Sequence, residues 1–171
     1  TGVARYSIRA IAPDLPSPAA VLHRLNEILL RQTFDDRFLT AVLVCVTPRS
    51  DCVQVLAANG GHPPALVLHD DESVTVLEEA PGMLLGMLPG SDFRDVAVTL
   101  GPGDALVLYT DGVVEARNDA GEQFGQDRLV ALLSTCAGRS AAGIARRVEL
   151  AALAHSPALS DDMAVVVLRA T

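Results

Sequence analysis

The chain has 171 residues, half of them hydrophobic, with four Phe, two Tyr and no Trp; this length and composition suit one globular domain with an aliphatic core and argue against disorder. A formal charge of -8, from 13 basic and 21 acidic residues, argues against a surface that neutralises the phosphates of DNA or RNA. Cys45, Cys52 and Cys136 are odd in number and lack CxxC spacing, which argues against a disulfide framework or a thiolate zinc site and points to a reducing, cytoplasmic setting.

No apolar run reaches the roughly 18 residues of a membrane helix, and the start lacks the basic-then-apolar build of a signal peptide. The chain opens on Thr1, which reads as a piece of something longer. Residues Gly2 to Ala12 carry Val3, Tyr6, Ile8 and Ile11 without a firm period, closed by Pro13 and Pro16; they read as the tail of an earlier helix. From Pro18 to Gln32, Val21, Leu22, Leu25, Ile28 and Leu29 follow helical spacing behind Ser17 as N-cap and Pro18 in the first turn, so an amphipathic helix is expected.

The pattern then changes to short apolar runs: Phe38 to Val46, Cys52 to Ala57, Ala65 to His69, Ser73 to Leu77, Phe93 to Leu100 and Ala105 to Tyr109. Pro48, Gly60, Gly61, Asp70, Asp71, Gly101 and Gly103 punctuate them, and the spacing predicts an antiparallel meander. Asp127 to Cys136 and Ser140 to Ala154, divided by Gly138, have apolar residues three and four apart and predict two helices. Met163 to Leu168 predicts a last strand. The order of helix, many strands, two helices and a strand is an α+β arrangement.

Two segments carry the chemistry. Asp111 follows the apolar run Leu106 to Tyr109 and is backed by Gly112, while Ser160 Asp161 Asp162 opens the last strand. If these strands are antiparallel neighbours, the end of one and the start of the other share a rim, and their carboxylates meet. Successive side chains on a strand face opposite ways, so one of Asp161 and Asp162 is the ligand and the other supports or solvates. Paired carboxylates repel unless a proton or cation intervenes, and an oxygen-rich site without thiolates favours magnesium or manganese over zinc. Taken singly, each segment also reads as an ordinary turn or loop.

The flanks decide between those readings. Asn59 Gly60 Gly61 His62 Pro63 Pro64, Gly82 Met83 Leu84 Leu85 Gly86, Leu100 through Gly103 Asp104 to Tyr109 Thr110 Asp111 Gly112 Val113 Val114 Glu115 Ala116 Arg117, Phe124 Gly125, and Asp161 Asp162 Met163 occur in order. Together they resemble the bacterial SpoIIE-like branch of the metal-dependent serine/threonine protein phosphatases, the PPM or PP2C type. The likeness runs from the helix holding Leu25 Asn26 Glu27 to Leu168 and treats residues 1–171 as one phosphatase domain.

The resemblance implies a layered α-β-β-α sandwich of two antiparallel sheets flanked by helices, with two Mn2+ or Mg2+ ions at one end. Asp111 and Asp161 match the family's metal-binding aspartates; Gly112, Asp162 and His62 are candidate supporting residues. The implied reaction is hydrolysis of phosphoserine or phosphothreonine by metal-activated water. The implied partner is a phosphorylated anti-anti-sigma protein of the STAS type in a sigma-factor partner-switching pathway, with no nucleic acid or membrane partner.

One departure stands out: the family's Gly-Asp-x-x-Gly-x-Gly segment, whose aspartate bridges both metals, is not found in residues 1–171. The chain is therefore expected to begin just after that ligand and the two strands around it, leaving at most one weakly held ion. An alternative follows, a non-catalytic binding module of the same fold. An exposed sheet edge and self-association, including a homodimer, are also expected. His62, between glycines and prolines, reads foremost as a loop-shaping residue; His23, His69 and His155 read as surface residues, and Arg117 as solvated or structural.

Overall fold

The computed structural model describes residues 2–31, 38–77, 83–156 and 162–171. In chain order come α1 (Gly2–Ile11), a 3-10 turn (Ala12–Asp14), α2 (Pro18–Arg31), β1 (Ala41–Pro48), β2 (Val53–Gly60), β3 (Leu66–Leu68), β4 (Val74–Val76), β5 (Asp95–Leu100), β6 (Ala105–Tyr109), α3 (Asp111–Val114), α4 (Gly125–Ser134), α5 (Ala141–His155) and β7 (Val165–Arg169). This is an α+β fold with two antiparallel sheets and accompanying helices. Among the described residues no helix is long and apolar enough to cross a membrane.

The chain divides into two compact units. One holds α1, α2 and the three-stranded sheet β1-β2-β5. Its α2 begins as its sequence demands: the Ser17 hydroxyl accepts the Ala20 N–H at 3.3 Å, and Pro18 occupies a first-turn position where no donor is needed. The Ala19 N–H is taken by Asp95 Oδ1 at 2.8 Å. Leu22 and Leu25 on the inner stripe are fully buried with Ala58, Leu85 and Phe93, each leucine worth about 1.5–3 kcal/mol of transferred apolar surface. Ahead of it, α1 is a complete helix of ten residues rather than the tail of one. Its inner stripe is Ala4, Ile8 and Ile11, spaced by four and three; Val3 and Tyr6, which obscured that period in the sequence, are 48% and 72% exposed.

The second unit holds the four-stranded sheet, in the order β4-β3-β6-β7, with α3, α4 and α5. Central β6 pairs with β3 (Leu66↔Val107, Leu68↔Ala105) and with β7 from Ala105↔Arg169 to Tyr109↔Val165. Alternation along β6 turns Ala105, Val107 and Tyr109 into one core cluster with Leu129 and Leu133 of α4 and Ile144, Val148 and Ala152 of α5. Ser140 caps α5 by accepting the Gly143 N–H at 3.2 Å.

The predicted strands are present, but they do not form one meander. The hairpins β1–β2 and β3–β4 are local, whereas β5 joins the sheet of β2 and β6 joins that of β3 and β7. The tight Gly101–Asp104 connection looks like a hairpin turn. Its outward hydrogen bonds instead run to the segment after β7: the Gly103 N–H donates to the Ala170 carbonyl (3.0 Å) and the Ala170 N–H to that of Asp104 (2.9 Å). Gly103 adopts φ +98°, and a Cβ there would run into the Asp70 side chain; glycine meets both requirements.

Candidate metal site at the β6–β7 rim

Strand β6 carries a carboxylate just beyond each end, and the two differ in kind. Asp104, before the strand, is consumed by structure: its carboxylate accepts the N–H groups of Asp70 (3.0 Å) and Gly101 (2.9 Å) and lies 3.4 Å from His69 Nδ1. Asp111, two residues past the other end, is exposed. Its Oδ1 accepts the adjacent Gly112 N–H at 3.0 Å, and Oδ2 accepts no hydrogen bond from the described residues.

The backbone at Asp111 differs from the sharp strand-end turn expected of Asp-Gly. Asp111–Val114 is one helical turn, closed by Val113 N–H to the Thr110 carbonyl (3.0 Å) and Glu115 N–H to that of Asp111 (2.8 Å). Gly112 is buried inside this right-handed turn, so it supplies no left-handed bend.

The sequence argument that the end of one strand meets the start of the other holds for the described part of the second segment. The β6–β7 ladder continues past Tyr109↔Val165 through Thr110 N–H to the Ala164 carbonyl at 3.0 Å. The Thr110 hydroxyl then donates to the Asp162 carbonyl at 3.1 Å and accepts the Ala164 N–H at 2.9 Å. Asp162 is exposed at this rim. Asp161 lies outside the described residues.

Among the described residues, no group of three or more His, Cys, Asp and Glu side chains converges on one point. The donors at this rim are nevertheless carboxylate oxygens at exposed positions, with the three cysteines on β1, in the turn after it and in the helical core. That donor chemistry fits a hard divalent ion.

The other polar candidates have structural duties. His62 belongs to the first unit, where Asn59 grips its backbone from both sides: Asn59 Oδ1 accepts the His62 N–H and Asn59 Nδ2 donates to the His62 carbonyl, both at 2.8 Å. Its Nδ1 lies 3.1 Å from the Thr40 hydroxyl. His155 is half-buried rather than a surface residue, edge-on to Phe124 at 5.5 Å and bonded to the Glu122 carbonyl at 3.0 Å. His23 touches Phe93 in the same manner at 5.2 Å, and Arg117 donates to the Gly121 carbonyl at 2.8 Å.

Two residues whose hydrogen bonds join distant segments escaped the sequence reading. Thr110 is one. Asn26, 3% exposed on α2, is the other: it accepts the Gly86 N–H at 2.7 Å and donates to the Leu88 carbonyl at 3.0 Å. A polar residue beside Leu22 and Leu25 on an otherwise apolar stripe was its available signal; nothing local marked Thr110.

A family model described as Stage II sporulation protein E (SpoIIE) matches residues 1–171. The chain belongs to the SpoIIE family. Among individual relatives, it is 37% identical over 76 residues to Protein IcfG of Synechocystis sp., covering 44% of this chain and 12% of that protein. It is 26% identical over 117 residues to phosphoserine phosphatase RsbU of Bacillus subtilis, covering 68% of this chain and 34% of that protein. The chain thus spans a minor part of the length of both.

Its fold matches solved structures over 98–99% of its length. The SiaA-PP2C domain of Pseudomonas aeruginosa superposes with a TM-score of 0.83 at 24% identity, covering 99% of this chain and 67% of that one. The manganese-presoaked SpoIIE phosphatase domain of B. subtilis gives 0.70 at 18%, covering 99% and 74%. The RsbU and RsbW domains of Rv1364c from Mycobacterium tuberculosis give 0.76 at 20%, covering 98% and 46%. The fold is therefore that of a PP2C-type phosphatase domain, as the sequence motifs imply.

Proposed function

We propose that this chain acts as a protein serine/threonine phosphatase domain, hydrolysing phosphoserine or phosphothreonine with the help of Mn2+ or Mg2+. The observation that carries the reading is the juncture of the Asp111 turn with the Asp162 backbone at one rim, on a fold shared with PP2C-type domains. Asp111 and Asp161 are the proposed ligands, with Asp162 and Gly112 supporting. A divalent ion held there supplies Lewis acidity, neutralising phosphoryl charge and acidifying water.

The chain's own residues prepare that chemistry. The Asp111 carboxylate is steadied by the Gly112 N–H at Oδ1, and its Oδ2 accepts no hydrogen bond from the described residues. The exposed rim admits a phosphorylated side chain carried on another protein, whereas the carboxylate at the opposite end of β6 is occupied by backbone donors and is unsuited to the task. Kinship with RsbU, named a phosphoserine phosphatase, supports phosphoserine as the group cleaved, and the motif resemblance suggests a phosphorylated anti-anti-sigma protein of the STAS type as its carrier.

The test is phosphate release from such a phosphoprotein in the presence of Mn2+, by this chain and by the same chain with the sequence encoded ahead of Thr1. Asp111→Ala should lower the rate about a hundredfold or more. An active protein indifferent to Asp111→Ala would overturn the assignment. Absence of both turnover and Mn2+ binding in the longer form would identify a non-catalytic binding module instead.

A further inference from the structure

Thr110 sits where a helix is usually capped, and its hydroxyl does something else. It is the N-cap of α3, with φ -83° and ψ 160°, yet its side chain makes no capping hydrogen bond, although threonine is a favoured residue for that purpose. The first donors of α3 are satisfied without it, by Asp111 Oδ1 for Gly112 and by the Thr110 carbonyl for Val113. The freed hydroxyl crosses to a segment 52 to 54 residues away, donating to Asp162 and accepting from Ala164. Together with its own N–H bond to the Ala164 carbonyl, one residue makes three hydrogen bonds to the stretch that leads into β7.

We infer that Thr110 is a positioning residue for a divalent cation at this rim, its hydroxyl fixing the Asp162 backbone relative to the neighbouring Asp111. The inference rests on the metal-site reading above and adds to it a residue that touches neither ion nor substrate. The physical reason is that two carboxylate-bearing segments from distant parts of the chain share an ion well when their separation is set before the ion arrives. Otherwise binding must also pay the conformational entropy of bringing the two segments together. Groups that orient ligands from behind typically account for about 10–100-fold in metal affinity.

The discriminating pair is Thr110→Val, which keeps the shape and removes the hydroxyl, and Thr110→Ser, which keeps the hydroxyl. Mn2+ affinity by calorimetric titration, the thermal midpoint, and hydrogen exchange at the Ala164 amide are measured on the 171-residue chain, with Asp111→Asn beside them. Thr110→Val should weaken Mn2+ about tenfold or more and accelerate Ala164 exchange. Thr110→Ser should restore both. If Thr110→Val lowers the thermal midpoint while Mn2+ affinity stays at the parent value, the role is one of fold stability and the inference fails. Unchanged Ala164 exchange would refute the clasp itself, whatever the metal result. The same titration is run with the sequence encoded ahead of Thr1; Mn2+ binding that is absent from both forms, or indifferent to Asp111→Asn, overturns the metal-site reading and the inference with it.

Discussion

At the residue scale, Tyr109 shows what the end of β6 costs. Its ring belongs to the core, and its hydroxyl is buried without a hydrogen-bond partner among the described residues. Burial pushes the phenol from its ordinary 10.0 up to about 12, because the phenolate is denied solvent. The unfolded chain releases this proton near pH 10 and the folded chain retains it until about 12, so stability is intact below pH 10 and falls as pH rises through that window. Tyr109→Phe removes both the orphaned hydroxyl and the titration. Urea unfolding should give the variant equal or greater stability at pH 8, by up to about 1 kcal/mol, and a shallower loss between pH 10 and 12. A variant clearly weaker at pH 8 would show that the hydroxyl has a partner after all. Asp111 was legible from the sequence because an apolar strand followed by Asp-Gly advertises an exposed carboxylate. Thr110 was not, since its partners are 52 and 54 residues distant and depend on which strands pair.

At the element scale, helices and strands were readable wherever burial had one simple period. Helix α2 declared itself by Ser17, Pro18 and the Leu22–Leu25 stripe, and α5 by Ser140 and its Ile144, Val148 and Ala152 row. Helix α1 was blurred because exposed Val3 and Tyr6 shared its sequence with buried Ala4. Asn26 ties α2 to the loop bearing Leu85, Gly86 and Leu88, a loop with half-exposed Met87 and Leu88 at 49% each. Asn26→Leu keeps the volume while stranding the Gly86 N–H and leaving the Leu88 carbonyl to the Ser91 hydroxyl alone (2.9 Å), so it should cost about 1–2 kcal/mol, with faster amide exchange at Gly86. Chemical denaturation checks the first and exchange the second. A loss under about 0.5 kcal/mol, the size of an ordinary surface change, would mean that the loop finds other partners.

At the scale of the whole molecule, the count of strands was legible and their division between sheets was not. Alternation tells which face of a strand is buried but not beside which strand it lies, and the β5–β6 connection misleads because its hydrogen bonds go to Ala170 instead of closing a hairpin. The resulting order leaves β7 at the edge of the four-stranded sheet, with no further strand beside it among the described residues. Val166 on that strand is 60% exposed, and a groove of about 500 Å³ runs along it, lined by Arg146 and Glu149 of α5 and by Met163 and Val165. An open edge is a template for another strand. A second copy brought up by two-fold rotation would pair β7 antiparallel to itself, an isologous contact. We therefore expect concentration-dependent dimerisation in analytical ultracentrifugation from micromolar to near-millimolar protein, reversed by Val166→Lys, which places a charge on the edge strand. A chain that sediments as a monomer throughout that range, with a thermal midpoint independent of concentration, would show that the β7 edge does not recruit a second copy.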